Sequence, residues 1–245
     1  MAANKYDTLR NVTLGEKEVH VWRYGLDRPA SEIMANQSLL CPTEKQRMQR
    51  LRITTVRNRF IAARGILRRV LAAYLNLDPA GIQFEYNEFG KPRLASRPHG
   101  EDIQFNLTHS HDTALLAVTS FSNVGIDTEY PRTKVDHEAI AKRFFSPSEN
   151  AALLKLRADQ RERAFFHCWT CKEAYIKARG DGLRYPLRNF DVSVDPDKPA
   201  ELLATRPDSD DVLRWTLMKL EAPSPYAAAL VVQGQDIVVL YRTLP

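Results

Sequence analysis

Features that would place the chain outside a reducing cell interior are scarce. Only three of its 245 residues are cysteine, an odd number too small for a disulfide framework, so a cytoplasmic setting is expected. No apolar run approaches the roughly 20 residues of a membrane-spanning helix. The opening Met1-Ala2-Ala3-Asn4-Lys5-Tyr6-Asp7 lacks the hydrophobic core of a signal peptide. Neither a membrane nor secretion is therefore expected. Low-complexity linkers and strong internal repeats are also missing. Cys168 and Cys171 form a lone C-x-x-C beside His167, with no second pair at zinc spacing and no strand–turn–helix context for redox chemistry. They read as buried helical thiols. His20, His99, His111 and His137 have no partner pattern and read as structural or surface residues.

Acid is absent from one long stretch. Between Lys45 and Arg69 lie nine basic residues and no Asp or Glu. The net charge of +5 resides wholly in the first half: residues 1–122 carry 17 Lys/Arg against 12 Asp/Glu, and residues 123–245 carry 18 of each. Such a surface attracts phosphates or an acidic protein partner. Nucleic acid competes for the same reading. With 44% hydrophobic and 27% charged residues, the chain suits one large or two small globular domains.

Val19 to Tyr24 alternates and predicts a first strand. Pro42-Thr43 opens a helical pattern, and Thr54 is placed as the cap of a longer helix reaching about Leu77. Phe60, Ala63, Leu67, Val70, Leu71 and Tyr74 form its buried stripe, Arg57, Arg64 and Arg68 share a face, and Gly65 implies close backbone packing. Strands are predicted at Ile82–Tyr86, Ile103–Ser110 and Ala114–Thr119, with a turn at Asn87-Glu88-Phe89-Gly90-Lys91-Pro92. The division between halves falls near Ser122-Asn123, giving 1–122 and 123–245. In the second half Ile140–Phe145 reads as helical. Ser146-Pro147-Ser148-Glu149 opens another helix with a capping box, a sufficient structural reason for Glu149. A long helix covers about Asp159–Ala178, stopped by Gly180-Asp181-Gly182. Strands follow near Phe190–Val194, Val212–Leu220, Ala227–Val232 and Ile237–Tyr241.

Two stretches carry chemistry. Val124-Gly125-Ile126-Asp127-Thr128-Glu129 reads as a short strand with Asp127 and Glu129 on one face. Carboxylates aimed together repel, which calls for a cation. An isolated pair is more simply an exposed strand face. The second stretch, Trp169-Thr170-Cys171-Lys172-Glu173-Ala174-Tyr175-Ile176-Lys177, is rich in helix formers and puts Glu173 and Lys177 one turn apart on one face. A third carboxylate and an ammonium can thus converge on one ion and an anionic ligand. Oxygen ligands alone suit magnesium bound with phosphates.

With Gly90-Lys91-Pro92, Phe105-Asn106-Leu107-Thr108-His109-Ser110, Gly125-Ile126-Asp127-Thr128-Glu129, Trp169 to Lys177 and the flanking Ala141 to Glu149 and Gly180 to Leu183 in order, the chain resembles the Sfp-type 4′-phosphopantetheinyl transferases. It is especially similar to the cyanobacterial members that serve several carrier proteins. The resemblance implies an α+β fold of two similar halves about a pseudo-twofold axis, with the active site between them. It implies transfer of phosphopantetheine from coenzyme A to a serine of an apo acyl, peptidyl or polyketide carrier protein, releasing 3′,5′-ADP. Carried over, Asp127, Glu129 and Glu173 would hold Mg²⁺ against the pyrophosphate. Lys177 would meet the phosphate nearest the reaction, and Lys172 would be a further phosphate contact. Lys91 and His109 would contact nucleotide phosphates, with Thr108 a neighbouring donor. Glu173, or a water it orients, is the base, with Glu149 second. The family often presents lysines to the 3′-phosphate near the N-terminus. This chain offers Glu44, Lys45, Arg47 and Arg50 there, which makes Arg47 and Arg50 the expected ligands. Two fused halves predict a monomer.

A metal-dependent nuclease also combines Asp, Glu and Lys, but usually as Glu-x-Lys on a strand soon after the Asp. Here Lys172-Glu173 has the reverse order on a distant helix. A non-catalytic nucleic-acid binder would leave three carboxylates unused. Release of 3′,5′-ADP separates the transferase from both.

Overall fold

The structure, a computed structural model, describes residues 9, 12–95, 102–131 and 136–244. The opening heptapeptide and His99 lie outside the described residues. In the first half, β1 (Glu18–Gly25) is followed by α1 (Ala30–Ser38), α2 (Pro42–Arg50) and α3 (Thr54–Leu75). A hairpin of β2 (Phe84–Tyr86) and β3 (Pro92–Leu94) comes next, then β4 (Gln104–Ser110) and β5 (Thr113–Thr119). The second half opens with β6 (Val124–Glu129), α4 (His137–Phe144), α5 (Pro147–Lys155) and α6 (Ala158–Arg179). The short β7 (Phe190–Val192) and β8 (Leu202–Thr205) precede β9 (Trp215–Lys219), β10 (Ala227–Gln233) and β11 (Val238–Thr243). The fold is α+β.

Strand alternation explains the layers. Trp22 and Tyr24 of β1 join Leu116 and Val118 of β5 under α3, whose buried face runs from Ile61 to Leu75. Val19 and Val21 point the other way. There they meet Leu115 and Ala117 of β5, Val124 and Ile126 of β6, and Leu230 and Val232 of β10. On the far face of the second sheet, Ala229, Val231, Trp215 and Leu217 pack beneath α6. The order is thus helix, sheet, sheet, helix, with the sheets β11-β1-β5-β4 and β6-β10-β9 face to face. β11 returns from the end of the chain to pair parallel with β1.

Several local expectations change. Thr54 is the first helical residue rather than the cap; Ile53 holds that position, with no side chain bonded to the helix end. The strand expected from Val212 starts only at Trp215. Residues 209–214 form a 3₁₀ turn capped by the Asp208 carboxylate on the Asp210 amide. α1 was not anticipated. It explains Gly65, where an added Cβ would lie 2.4 Å from the Asn36 Cβ, so α1 and α3 approach as closely as that glycine allows.

Candidate functional site

The site forms where β6 passes under α6, and one glycine sets the approach. A Cβ on Gly125 would lie 2.1 Å from the Ala174 carbonyl oxygen and 2.3 Å from the Ala178 nitrogen, so only glycine lets the strand touch the helix backbone. Asp127 and Glu129 share the face of Gly125 and meet Glu173 and Lys177 as the helix crosses.

Partners for this strand come from the first half. Asn106, Thr108 and Ser110 alternate on β4 and are all buried. Asn106 Oδ1 accepts from the Ile126 amide at 2.9 Å. Thr108 Oγ1 donates to Asp127 Oδ1 at 3.0 Å. Ser110 Oγ donates to Glu129 Oε2 at 3.0 Å and accepts from the Tyr130 amide. Side chains here replace the backbone ladder between two strands that are not paired. Sequence reading took Thr108 for a nucleotide donor and missed Asn106 and Ser110, though the alternation was a usable signal.

Lys177 Nζ lies 2.5 Å from Asp127 Oδ1 and 3.4 Å from Thr108 Oγ1. Burial pulls this ammonium down, but Asp127, Glu173 and Glu129 outweigh it and hold the pKa above its ordinary value. Burial pushes Asp127 up, against Lys177 and Thr108. Glu173 is raised to about 7, chiefly by burial, with Lys177 opposing and Asp127 and Glu129 adding repulsion. Three carboxylates therefore sense one another across the cleft. Among the described residues no three His, Cys, Asp or Glu side chains stand close enough to ligate an ion. Lys177 supplies the positive charge. Asp127 Oδ2 is nevertheless buried with no hydrogen-bond partner, an oxygen acceptor left open beside two other acids. That donor set fits a hard divalent cation.

Two expected contacts lie elsewhere. Lys172 is fully buried, bonded to Glu149 Oε1 at 2.7 Å and to the carbonyls of Leu187 and Phe190 at 2.8 Å each. All three of its donors are occupied, so it is not a phosphate contact. Adjacent residues on a helix point about 100° apart, which turns Lys172 into the core when Glu173 faces the cleft. Glu149 is likewise no base: its oxygens accept from the Ser146 and Val192 amides as well as Lys172. Lys172→Met should cost about 3–5 kcal/mol of stability by leaving Glu149 buried and unpaired, read by urea unfolding. A phosphate contact would instead raise the nucleotide KM at unchanged stability.

Lys91 also departs from its expected role. Its ammonium donates to the carbonyls of Lys177 at 2.6 Å, Val124 at 3.1 Å and Ala178 at 3.4 Å. It clasps the end of α6 to the start of β6. Burial lowers it to about 8; the Lys177 and Ala178 carbonyls, at the negative end of α6, and that of Val124 in β6 favour the charged form.

Nine basic residues do not make nine free cations. Arg59 pairs with Asp27, while Arg64 and Arg68 both pair with Glu44. Lys45, Arg47, Arg50 and Arg52 remain exposed. Arg47 lies over the Phe60 ring and, with Arg64, Tyr86 and His109, lines a pocket of about 330 Å³. Arg50 is not among its lining residues. His109 follows Thr108 on β4 and so points to the opposite face of the strand, into the pocket, yet it still senses Lys177 of the cleft as well as Arg47. Its pKa is lowered by burial, then by Lys177 and Arg47, which places it between the two charged regions.

Two family models match the chain. One, the 4′-phosphopantetheinyl transferase superfamily, matches residues 123–231. The other, 4′-phosphopantetheinyl transferase, N-terminal, matches residues 28–121. The chain is 41% identical over 224 residues to 4′-phosphopantetheinyl transferase HetI of Nostoc sp., covering 91% of each protein. It is 34% identical over 197 residues to the Synechocystis sp. protein named putative 4′-phosphopantetheinyl transferase slr0495, covering 80% of this chain and 77% of that one. It is 34% identical over 178 residues to 4′-phosphopantetheinyl transferase Sfp of Bacillus subtilis, covering 71% and 77% respectively.

Proposed function

The chain belongs to the 4′-phosphopantetheinyl transferase superfamily, and from that premise we propose that it transfers phosphopantetheine from coenzyme A to a serine of an apo carrier protein, with magnesium. The observation that carries this reading is the cleft in which Asp127, Glu129, Glu173 and Lys177 converge beside a basic pocket. Asp127, Glu129 and Glu173 would hold the magnesium ion, which when bound neutralises pyrophosphate charge. The remaining work falls to this chain's own groups.

The attacking serine oxygen forms a bond to the phosphorus that carries the pantetheine arm. The bond from that phosphorus to the bridging oxygen breaks, and 3′,5′-ADP leaves. Glu173, which faces the cleft beside Lys177 and Asp127, would take the serine proton as general base, directly or through a water it orients. Lys177 faces the charge that builds on the leaving oxygen. His109 reaches the nucleotide phosphates from the next residue of β4. Residues 1–122 thus supply nucleotide and carrier contacts, and residues 123–245 supply the carboxylates. One chain contributes both sides, which favours action as a monomer.

Incubation with coenzyme A, Mg²⁺ and a panel of apo carrier proteins, followed by intact mass, tests this. The expected result is a carrier heavier by one phosphopantetheine, with 3′,5′-ADP released. Unmodified carriers throughout the panel would overturn it.

The exposed turn between α2 and α3 suits an acidic carrier. Arg50 and Arg52 precede Ile53, which is 66% exposed, with Val56 exposed beyond. Steering of this kind is screened over about 8 Å at physiological salt. The KM for an acidic carrier should rise from low to physiological salt, with kcat changing less. Arg52→Glu should flatten that dependence; an unchanged salt profile would remove this turn from the carrier surface.

A further inference from the structure

A histidine turns the chain where glycine or asparagine is usual. β4 and β5 are joined by a hairpin in which Ser110 pairs with Thr113, so only His111 and Asp112 form the turn. Turns of this length need a positive φ at their first position, which favours glycine, asparagine or aspartate. His111 holds that position with φ at 53°. A side chain kept at such an angle persists where its surroundings over-determine it. Here those surroundings come from the second half of the chain.

Three consecutive residues each grip a partner across the halves. Ser110 Oγ donates to Glu129 Oε2 and accepts from the Tyr130 amide, both at 3.0 Å. The His111 ring stacks on Tyr130, with centroids 4.8 Å apart and planes 23° apart. Asp112 Oδ1 accepts from Tyr226 Oη at 2.5 Å and lies 3.3 Å from His111 Nδ1. The Tyr226 hydroxyl is the chief cause that holds the Asp112 carboxyl down to about 2. The Tyr226 ring in turn meets Tyr130 edge-on at 5.1 Å. The contacts close a ring through the turn, Tyr226 and Tyr130. The Leu26 amide, on the Asp112 carbonyl at 2.6 Å, anchors the turn to its own half.

This ring encloses the end of β6. Glu129 is the last residue of that strand and pairs with Ala227, the first residue of β10. Strand ends open more readily than strand centres, yet this one carries a carboxylate assigned to the ion. Tyr226 directly precedes Ala227, so its bond to Asp112 fastens both strand ends to the hairpin turn. Resting on the magnesium reading above, we infer that Tyr226 and Asp112 are positioning residues that hold Ser110 against Glu129 and so orient its carboxylate for the ion. Neither residue touches the reacting atoms. Partners behind a ligating carboxylate change metal affinity about ten- to a hundredfold.

The test titrates Mg²⁺ calorimetrically into the full chain saturated with coenzyme A, without carrier, so that no turnover occurs. Tyr226→Phe keeps the ring and removes only the hydroxyl, whereas Asp112→Ala removes the acceptor. Each should weaken Mg²⁺ binding roughly ten- to a hundredfold. The double variant should be no worse than Asp112→Ala, because both changes break the same bond. Asp112→Asn keeps a carbonyl acceptor and should stay near the wild type. Amide exchange gives a readout free of metal. The Tyr130 N–H, bonded to Ser110 Oγ, should exchange faster in Tyr226→Phe and Asp112→Ala but not in Asp112→Asn. A purely structural clasp would lower the Tm of Tyr226→Phe and Asp112→Ala and leave their Mg²⁺ affinity unchanged, which would overturn the inference. Weakened Mg²⁺ binding with Tyr130 exchange unchanged would overturn it as well, and so would equal losses in Asp112→Asn and Asp112→Ala. A wild type that bound no Mg²⁺ would remove the magnesium reading and this one with it.

Discussion

Asp127→Asn is expected to abolish transfer, lowering kcat by a thousandfold or more while the fold survives. The carboxylate has two hydrogen-bond partners, Lys177 and Thr108, both on Oδ1, and a buried Oδ2 without one. Asparagine keeps the shape and removes the charge that would hold the proposed magnesium ion and position Lys177. Losing charge stabilisation at a phosphoryl-transfer centre costs several kcal/mol of barrier, whereas the stability change has opposing parts. Lys177 loses its ion pair, and Glu129 and Glu173 lose a repulsive neighbour. Calorimetry adds a readout independent of turnover. Mg²⁺ should raise the Tm of the wild type and not that of the variant. The acid pair gives another. Asp127 is one of the charges that keep Glu173 near 7, so its removal should lower that pKa, visible by carboxyl NMR. In the ion-free wild type Glu173 stays protonated to about 7, whereas in the unfolded chain it ionises near 4.5. Its contribution therefore favours folding at acid pH and is lost as the pH rises through about 7. Glu173→Gln should remove that fall. A variant Asp127→Asn with wild-type turnover in Mg²⁺ would end the assignment of this centre.

How much of this was legible beforehand depends on whether the relevant contact was local. The two faces of β6 follow from its alternation, and Glu173 and Lys177 share a helix face by spacing alone. The same arithmetic could have separated Lys172 from them. Five residues place Lys172 and Lys177 about 140° apart around α6, so both could not face one ligand. What spacing could not reveal is partnership across the chain. Glu44 finds Arg64 and Arg68 from 20 and 24 residues away, and Lys91 finds carbonyls up to 87 residues downstream. The nine basic residues between Lys45 and Arg69 therefore read as one surface, although Arg68 is core and Arg59 is paired. The parallel return of β11 to β1 is likewise a long-range pairing with no signal in its own six residues.

Gly125→Ala should be as damaging as the loss of a catalytic carboxylate, although the residue carries no chemistry. An added Cβ would meet backbone on every side: the Ala174 oxygen at 2.1 Å, the Ala178 nitrogen at 2.3 Å and the Ala178 Cα at 2.8 Å. No flexible side chain can yield, so β6 and α6 must separate along the line that brings Asp127 to Lys177. Overpacking of this kind costs about 1–3 kcal/mol or more, and a displacement of about 1 Å at a reacting centre costs about a hundredfold in rate. The variant should therefore show both a lower Tm and a kcat reduced by about two orders of magnitude, with the KM for the nucleotide less affected because the Arg47 pocket lies on the other half. Ile126→Val, which shortens the neighbouring residue on the opposite, apolar face, provides the contrast: about 1 kcal/mol of stability lost and kcat retained. If Gly125→Ala lost stability in the same measure as Ile126→Val and kept its turnover, the contact of strand and helix backbones would not be what aligns the carboxylates with Lys177.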